Sequence, residues 1–462
     1  MGVARRPVPY KLRGQQRSNG RAKGNPEGSR PWRAQTTIAG AGIFIGSFDM
    51  GAISDAMKPL THQWHLSTAM VTTLGTTTLV GMLVGSLITG FLADRIGRRM
   101  LIVSDVVLFI LASAAGALAP DFAVLTVARL ATGLAIGTEF AVVFPFVAET
   151  APIERRGRAM AWIMWAANFG VMAAYGLGAL FLALNPQGWR VTLGMGVVLA
   201  LPILALRSTL VESRSWRTER LGSLKAIAKM AARRDQRGKL AVTSASTFLY
   251  QVSDQGLTLV LPLLLATVLG SSAAAGAAGA TAVKAVTIPA ALLTVVLIEH
   301  VGRRPLQAVG FLGRALAFGL LGILLVVLVH VSGVLVGLLL AAGYFFGAAG
   351  PDKTTVIVPA ESFTSATRGS GQGMAQASGR LGGILGVTLY GILSSLGGPG
   401  AGVLLFAGTS LLGGVLSLAA LSETRLSSGH YPPDNLNGHG ASLAEPQREK
   451  AGPDGQPSGT PG

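Results

Sequence analysis

Eight ionisable residues lie inside long apolar stretches of this chain, where their side chains are the best placed to do chemistry. They are Asp49, Arg129, Glu139, Asp254, Lys284, Asp352, Lys353 and Arg380. If those stretches span a membrane, each ionised side chain costs roughly 2.5–3.5 kcal/mol at the bilayer centre, so each needs a partner or a purpose. A buried acid can exchange a proton, and a buried base can bind an anion.

No arrangement in the sequence is typical of an enzyme or of a cofactor site. The chain has no cysteine, which excludes disulfides and thiolate metal ligands, and its six histidines lack metal-ligand spacing. A phosphate-binding loop is missing as well, so we do not expect ATP-driven transport by this chain. The sequence predicts no catalytic residues, no metal site and no cofactor.

Composition places the candidate residues in a membrane protein. Half of the 462 residues are hydrophobic and only 13% are charged, where a soluble protein carries about 25%. A spanning helix needs about 20 mostly apolar residues. Twelve stretches qualify, near 36–57, 69–92, 101–119, 123–149, 159–184, 191–211, 240–268, 277–299, 306–331, 334–362, 369–396 and 401–421. The predicted fold class is an all-α membrane protein with twelve transmembrane helices.

The net charge of +17 follows the topology and does not indicate nucleic-acid binding. The loops that follow the even-numbered predicted helices are basic, whereas the opposite loops are nearly bare apart from Lys58 and Arg190. The basic loops contain Arg98, Arg99, Arg155, Arg156, Arg158, Arg303, Arg304 and Arg368. Basic loops stay in the cytoplasm and attract anionic lipid headgroups. We therefore expect a multi-pass protein of the cell membrane with both termini in the cytoplasm.

The spans divide the chain into five segments. Residues 1–35 are predicted to form a disordered basic cytoplasmic arm, and residues 422–462 a disordered cytoplasmic tail. Residues 36–211 and 240–421 each form a bundle of six helices. Residues 212–239 carry bases at spacings near three and four, which favours an amphipathic helix on the membrane surface, although a solvated linker also fits. We expect a monomer.

Two charged motifs recur in the same order in both halves. Gly90-Phe-Leu-Ala-Asp-Arg-Ile-Gly-Arg-Arg99 is echoed by Ile298-Glu-His-Val-Gly-Arg-Arg-Pro305. Glu149, followed by Arg156 and Gly157, is echoed by Glu361 and Arg368. Two motifs that recur in the same order indicate two homologous halves.

These motifs resemble those of the major facilitator superfamily. The pattern G-x-L-x-D-R-x-G-R-R is its signature between helices 2 and 3, and E-x6-R-G is similar to its sugar and metabolite porters, which include proton:phosphate symporters. The resemblance covers roughly residues 36–421. It implies two pseudo-symmetric six-helix bundles that rock around a midplane cavity, with a cytoplasmic gate whose acids are paired to nearby arginines in the outward-facing state. The motif residues, to which the resemblance assigns the role of this gate, are Gly90, Asp94, Arg95, Gly97, Arg98, Arg99, Glu149, Arg156, Gly157, Glu299, Gly302, Arg303, Arg304, Glu361 and Arg368. Glu299 replaces the family's aspartate.

The resemblance also suggests roles for three residues of the first half. An acid at the place of Asp49 in helix 1 takes part in proton coupling in sugar and phosphate symporters. Arg129 begins the helix 4 pattern R-x-x-x-G-x-x-x-G and is assigned to proton coupling with Asp49 and Glu139, because it could balance the charge of Asp49. The alternative is a permanent, purely structural pairing of Asp49 with Arg129 or another base. Glu139 matches an acid of the proton:phosphate symporters. Their phosphate-binding set is incomplete here, since Phe140-Ala141 replaces Tyr-Pro and Gln251 replaces an acid.

The second half supplies the predicted substrate cavity, formed by Asp254, Lys284, Asp352, Lys353 and Arg380. The segment from Pro351 to Gly383 resembles helices 10 and 11 of phosphate and organic-metabolite symporters. Gly350-Pro351 should break its helix and expose backbone groups to the cavity. Asp352 and Lys353 are adjacent, so on a helix they point about 100° apart, and we do not expect them to form a simple mutual pair: one of them would face Asp254, Lys284 or the substrate. A buried ion-pair network without a role in transport is the alternative.

The sequence thus predicts a secondary transporter that moves a small organic metabolite with protons. Lys284, Lys353 and Arg380 suggest an anionic metabolite, unless Asp254 and Asp352 neutralise them. One alternative is proton-driven efflux of a hydrophobic compound, although helix 5 lacks the Gly-Pro element of drug:proton antiporters. Another is a transporter-like receptor that binds without turnover, for which a long cytoplasmic extension would be expected.

Overall fold

A computed structural model describes residues 31–152, 154–210, 233–268, 272–328, 331–363 and 367–424, which are predominantly helical. The six helices of the first half are α1 Trp32–Gln63, α2 Thr68–Ile96, α3 Arg98–Ala117, α4 Phe122–Thr150, α5 Arg156–Leu184 and α6 Gly188–Arg207. The second half contains α7 Arg234–Val268, α8 Ala273–Ala285, α9 Thr287–Val301, α10 Arg303–Val327, α11 Gly333–Ala349, α12 Pro351–Ser362 and α13 Arg368–Ala420.

The predicted arm, linker and tail lie mostly outside the described residues. The structure begins at residue 31, omits 211–232 and ends at 424. α1 begins at Trp32 and α7 at Arg234, so both helices start inside segments that we expected to precede the membrane.

Short polar side chains mark where helices begin. Ser67 accepts a hydrogen bond from the backbone N–H of Met70 at 3.3 Å, and Asp121 accepts one from Val124 at 2.9 Å. Such caps satisfy N–H groups that have no partner within the helix. Many leucines and valines on the outer helix faces remain exposed, as expected for surfaces that face lipid.

Two of the predicted spans are broken helices. α8 and α9 meet at Val286, and α11 and α12 meet at Gly350, where φ is −144° and ψ is −93°. Pro351 then opens α12, because proline has no N–H to satisfy at a first helical position. The break predicted at Gly350-Pro351 is therefore present.

The 53-residue helix α13 is two crossings joined by a tight reversal. Gly397 and Gly398 leave helical conformation, and Gly398 has a φ of +74°. The rings of Tyr390 and Phe406 stack with centroids 5.5 Å apart, whereas sixteen residues along one straight helix would separate them by about 24 Å. With α8–α9 and α11–α12 counted as one crossing each, the described chain crosses the bilayer twelve times, which confirms the predicted fold class.

The two halves pack as bundles that meet along a few helices. α2 lies on α4 and α3 on α6 in the first half, while α13 packs on α7 and α10 in the second. Between the halves, α2 contacts α13 and α5 contacts α8 and α9. Within the first half, Gly133 lets α4 approach α2 so closely that an added Cβ would lie 2.2 Å from the Thr78 carbonyl oxygen.

We therefore expect Gly133→Ala to destabilise the first half, because a backbone carbonyl cannot move aside as a side chain can. The loss should be about 1–3 kcal/mol. Gly391→Ala is the matched control, since nothing lies within 4 Å of a Cβ there, and alanine is the better helix former. Melting temperatures of the purified variants would check this; an equal effect at both positions would contradict it.

Candidate functional site

A cavity of about 70 Å³ lies between the two halves of the structure. The first half lines it mainly with apolar side chains, such as Met50, Ile136 and Phe140. The second half supplies most of its polar lining, which consists of Gln251, Asp254, Gln255, Thr258, Lys284, Asp352 and Arg380. Four of the five residues predicted for the substrate cavity thus line it, and the fifth, Lys353, pairs with Asp352.

Both acids of the cavity have basic partners. Asp254 on α7 accepts a hydrogen bond from Arg314 on α10 at 3.3 Å, and Asp352 lies 2.5 Å from the Lys353 Nζ. Asn168 on α5 also donates to Asp352 at 2.7 Å. The expectation that Asp352 and Lys353 would not form a simple mutual pair was wrong, because the long lysine chain curls back to its neighbour. Sequence reasoning missed Arg314, although a lone arginine in an apolar stretch is the same signal that selected the others.

Two bases of the cavity form no direct salt bridge in the described structure. Lys284 on α8 donates to the Thr258 hydroxyl at 3.0 Å, and its Nζ lies 4.0 Å from the ring centroid of Tyr344. Arg380 on α13 lies over the Phe140 ring at 4.7 Å, and its buried Nε and Nη2 have no hydrogen-bond partner.

The cavity region therefore carries excess positive charge. Its bases are Lys284, Arg314, Lys353 and Arg380, and its acids are Asp254 and Asp352. Four cations against two anions leave two positive charges unbalanced in a space largely shielded from water. A negatively charged ligand would complement them.

Asp49 and Arg129 form a buried ion pair beside this cavity. Each is 1% exposed, and both nitrogens at the end of Arg129 bond to the Asp49 carboxylate. The Nε of Arg129 donates to the Thr78 hydroxyl at 3.1 Å. Gly46, Ser47 and Met50 line the cavity on the same helix, whereas Asp49 points toward α4.

Glu139 belongs to a different cluster from Asp49 and Arg129, with which it was grouped on sequence. Arg207 at the end of α6 donates to Glu139 at 2.5 and 2.7 Å and to Asp105 on α3 at 3.2 Å. Arg207 also donates to the Ile102 carbonyl at 2.9 Å. Asp105 and Arg207 were missed because each lies near the end of a predicted span, where charge is unremarkable.

Asp55 on α1 is a buried acid that sequence reasoning also missed. Its side chain is 4% exposed, and neither carboxylate oxygen has a hydrogen-bond partner. It packs against Gly178 of α5, where an added Cβ would lie 2.1 Å from its Oδ2. Since an unpaired ionised carboxylate is very costly to bury, Asp55 is best accommodated here in its neutral form.

The acids of the two repeated motifs bridge the halves of the molecule. Glu361 accepts hydrogen bonds from Arg303 of its own half at 2.9 Å and from Arg156 of the first half at 3.3 Å. Glu149 pairs with Arg98 beside it and lies 3.6 Å from Arg368 of the second half. These two acids and four arginines of the predicted gate thus join the two halves at one end of the molecule.

The remaining predicted gate residues surround these pairs. Glu299 accepts from Arg303 at 2.9 Å and from the backbone N–H of Arg158 at 3.0 Å, beside Gly157. Gly97 and Gly302 have φ values of +96° and +99°, which L side chains rarely adopt.

Three further predicted gate residues make other contacts. Arg99 and Arg304 donate to the carbonyls of Ser208 and Leu418 at helix ends, the backbone N–H of Arg304 donates to Glu423 at 3.0 Å, and Gly90 lies against Gly373. The structure does not describe the side chains of Asp94 and Arg95.

Comparison with known proteins gives consistent matches over most of the chain. The family described as Sugar (and other) transporter matches residues 31–265 and 233–428. A putative niacin/nicotinamide transporter of Bacillus subtilis is 27% identical over 78% of this chain and 88% of its own length. The cis,cis-muconate transport protein of Acinetobacter baylyi is 23% identical over 86% of this chain and 96% of its own.

Solved structures show the same fold. The major facilitator superfamily proton:xylose symporter XylE bound to 6-bromo-6-deoxy-D-glucose aligns with a TM-score of 0.74 at 20% identity, covering 85% of this chain and 96% of that one. A partially occluded inward open conformation of XylE from E. coli aligns at 0.71, with 19% identity over 85% and 98% of the two chains.

The two buried clusters of the first half should respond differently to neutralisation. Arg207→Gln should lower the free energy of unfolding by about 3–5 kcal/mol, because Glu139 and Asp105 lose the base that both contact. Asp55→Asn should have little effect, because Asp55 has no partner to lose. Thermal melting of the two purified variants would test this; equal destabilisation would show that Arg207 does not neutralise the acids.

Proposed function

The chain belongs to the Sugar (and other) transporter family of the major facilitator superfamily, and from this premise we propose that it carries a small organic anion across the cell membrane together with protons. It is a multi-pass membrane transporter and not an enzyme, like its relatives. The proposal concerns what it carries, what drives it, and which residues do each task.

The excess positive charge of the central cavity is the observation that carries the anion assignment. Arg380 is buried, forms no salt bridge in the described structure, and has two nitrogens that lack hydrogen-bond partners. Buried cations are normally paired, because leaving water without a counter-charge is costly. A carboxylate entering the cavity would supply both the missing charge and the missing acceptors, as guanidinium and carboxylate groups match in shape.

The remaining cavity groups would orient the rest of the substrate. Gln251 and Gln255 each have a buried amide oxygen with no donor, so they would accept hydrogen bonds from substrate N–H or O–H groups. Lys284 would serve as a second cationic contact. One relative is named for a carboxylate, cis,cis-muconate, and another for niacin and nicotinamide, which agrees with a small organic substrate.

Transport would follow from alternating access between the two bundles. The ion pairs Arg156–Glu361 and Arg368–Glu149 cross between the halves at the arginine-rich end, which we assign to the cytoplasm from the distribution of loop charge. When these pairs separate, the bundles would rock apart on that side. The gate would close again when the acids regain their arginines.

Proton coupling is assigned to Asp49, with Arg129 as its counter-charge. Protonation of Asp49 would release Arg129 from the ion pair. The loss of this pair would change the relative energies of the outward-facing and inward-facing packing of α1 against α4. Glu139 would be a secondary proton acceptor, balanced by Arg207. Buried acids that lie within a membrane transporter are frequent members of proton relays.

Replacing Arg380 should weaken binding of anions selectively. In Arg380→Gln we expect the apparent affinity for nicotinate to fall about tenfold or more, since a hydrogen bond to a charged group contributes about 1.5–3 kcal/mol. Nicotinamide, which has the same ring but no charge, should be little affected. Arg380→Lys keeps the charge and should retain part of the affinity.

The measurement is a thermal-shift titration of each purified variant with both compounds and with cis,cis-muconate. A ligand that binds the folded state raises its melting temperature by mass action. If the wild type responds to none of the carboxylates, or if Arg380→Gln weakens nicotinate and nicotinamide equally, the anion assignment is wrong.

Neutralising Asp49 should uncouple substrate transport from proton movement. Asp49→Asn is nearly isosteric and permanently neutral, so it should mimic the protonated acid. Exchange of substrate across the membrane should persist, whereas accumulation driven by a pH gradient should vanish. Counterflow and gradient-driven uptake in the same proteoliposomes would separate the two. Loss of both would reduce Asp49 to a structural partner of Arg129, and retention of both would remove it from coupling.

A further inference from the structure

A second and larger cavity opens on the side of the first half, away from the central site. It has a volume of about 760 Å³ and lies between the start of α1 and the start of α5, with Ile203 of α6 at its back. From Trp32 to Phe44 it follows α1 for about 18 Å, somewhat more than half of the ~30 Å hydrocarbon core of a bilayer. We call it the α1–α5 groove.

One end of the α1–α5 groove is basic. Arg33, Arg155 and Arg158 line it, and all three side chains are exposed. None of them forms an ion pair in the part of the chain that the structure describes. Glu154, next to Arg155 in sequence, is exposed as well and is not paired with it. This end therefore offers three cations to a single ligand.

The rest of the α1–α5 groove is apolar and aromatic. Trp32, Phe44, Trp162 and Trp165 lie along it, together with Ile163. Trp162 is 46% exposed, and its ring meets that of Trp165 edge-on at 5.4 Å. Tryptophan favours the level where lipid headgroups meet the hydrocarbon. The groove thus changes from cationic to apolar along its length, as a phospholipid changes from phosphate to acyl chain.

The chain's own undescribed segments are poor candidates to fill the groove. Residues 1–30, which precede α1, contain eight bases and one acid, and residues 211–232, which follow α6, contain five bases and two acids. Both segments would bring positive charge to three arginines. Charge complementarity favours an anionic ligand, and the membrane around these helices is its nearest source.

We propose that the α1–α5 groove binds an anionic phospholipid of the leaflet on the gate side. Its phosphate would lie among Arg33, Arg155 and Arg158, and one acyl chain would follow the tryptophans toward Phe44. α5 begins at Arg156, which is itself a predicted gate residue. A bound lipid would therefore connect α1 to the helix that carries this gate residue. The proposal is independent of the transported substrate.

The test compares lipid retention by the intact purified protein, using native mass spectrometry after exchange into mixed micelles. The probes are dioleoyl-phosphatidylglycerol and dioleoyl-phosphatidylcholine, which share their acyl chains and differ in charge. We expect the wild type to prefer phosphatidylglycerol at least tenfold. The triple variant R33Q/R155Q/R158Q should lose this preference. The charge-matched control R233Q/R234Q/R237Q removes three exposed arginines at the start of α7 and should keep it.

Two additional arms identify what the groove recognises. Trp162→Ala should weaken retention of both lipids, because it removes a wall of the apolar part. Glycerol 3-phosphate, which has the phosphate and no chain, should not compete. The proposal is overturned if the wild type shows no preference, if both triple variants lose it equally, or if glycerol 3-phosphate displaces the lipid. Monodisperse elution of each variant on size exclusion establishes that its fold is retained.

Discussion

The cost of placing charge in the bilayer core governs the arrangement of this molecule. An ionised group that leaves water must be neutralised or hydrogen-bonded. Most of the buried ionisable residues in the described chain obey this rule by pairing across helices, as Asp49 does with Arg129 and Asp254 with Arg314. The exceptions are informative because they are few. Asp55 is a buried acid with no hydrogen-bond partner, and the cations Lys284 and Arg380 form no ion pair in the described structure and line the same cavity.

The two halves of the molecule place their buried charged groups differently. In the first half, Arg207 is shared by Glu139 and Asp105, and the cavity wall is apolar. In the second half, polar and charged groups of α7, α8, α12 and α13 face inward. This asymmetry agrees with our proposal that the first half handles protons while the second half holds the substrate. The broken helix at Gly350-Pro351 supports the second role by placing Asp352 at the start of α12 beside the cavity.

The same ion-pairing rule has a different consequence where the helices reach the headgroup region. Glu149 and Glu361 each contact arginines of both halves. The side chains of the pairs Arg98–Glu149 and Arg303–Glu361 are at most 3% exposed, so these pairs are buried in the arrangement seen here. Removing one partner of a buried pair is costly, so under our proposal the two halves would separate only where water or a new partner replaces the broken contact.

Local features of the sequence were sufficient for the fold class and for the two related halves. An apolar run of about 20 residues implies a crossing whatever its neighbours are, and a repeated motif such as Glu149–Arg156 and Glu361–Arg368 implies two related halves. These inferences depend on residues close together in the chain, so composition and periodicity reveal them.

Only the tertiary structure decided which charges meet. Glu139 pairs with Arg207, 68 residues away, and does not lie with Asp49 and Arg129. Asp352 pairs with adjacent Lys353, and the guanidinium of Arg380 lies over the ring of Phe140. Each outcome depends on how a helix is rotated about its axis and on how far a long side chain reaches. Those quantities are set by packing of all the helices at once, so no single stretch of sequence contains them.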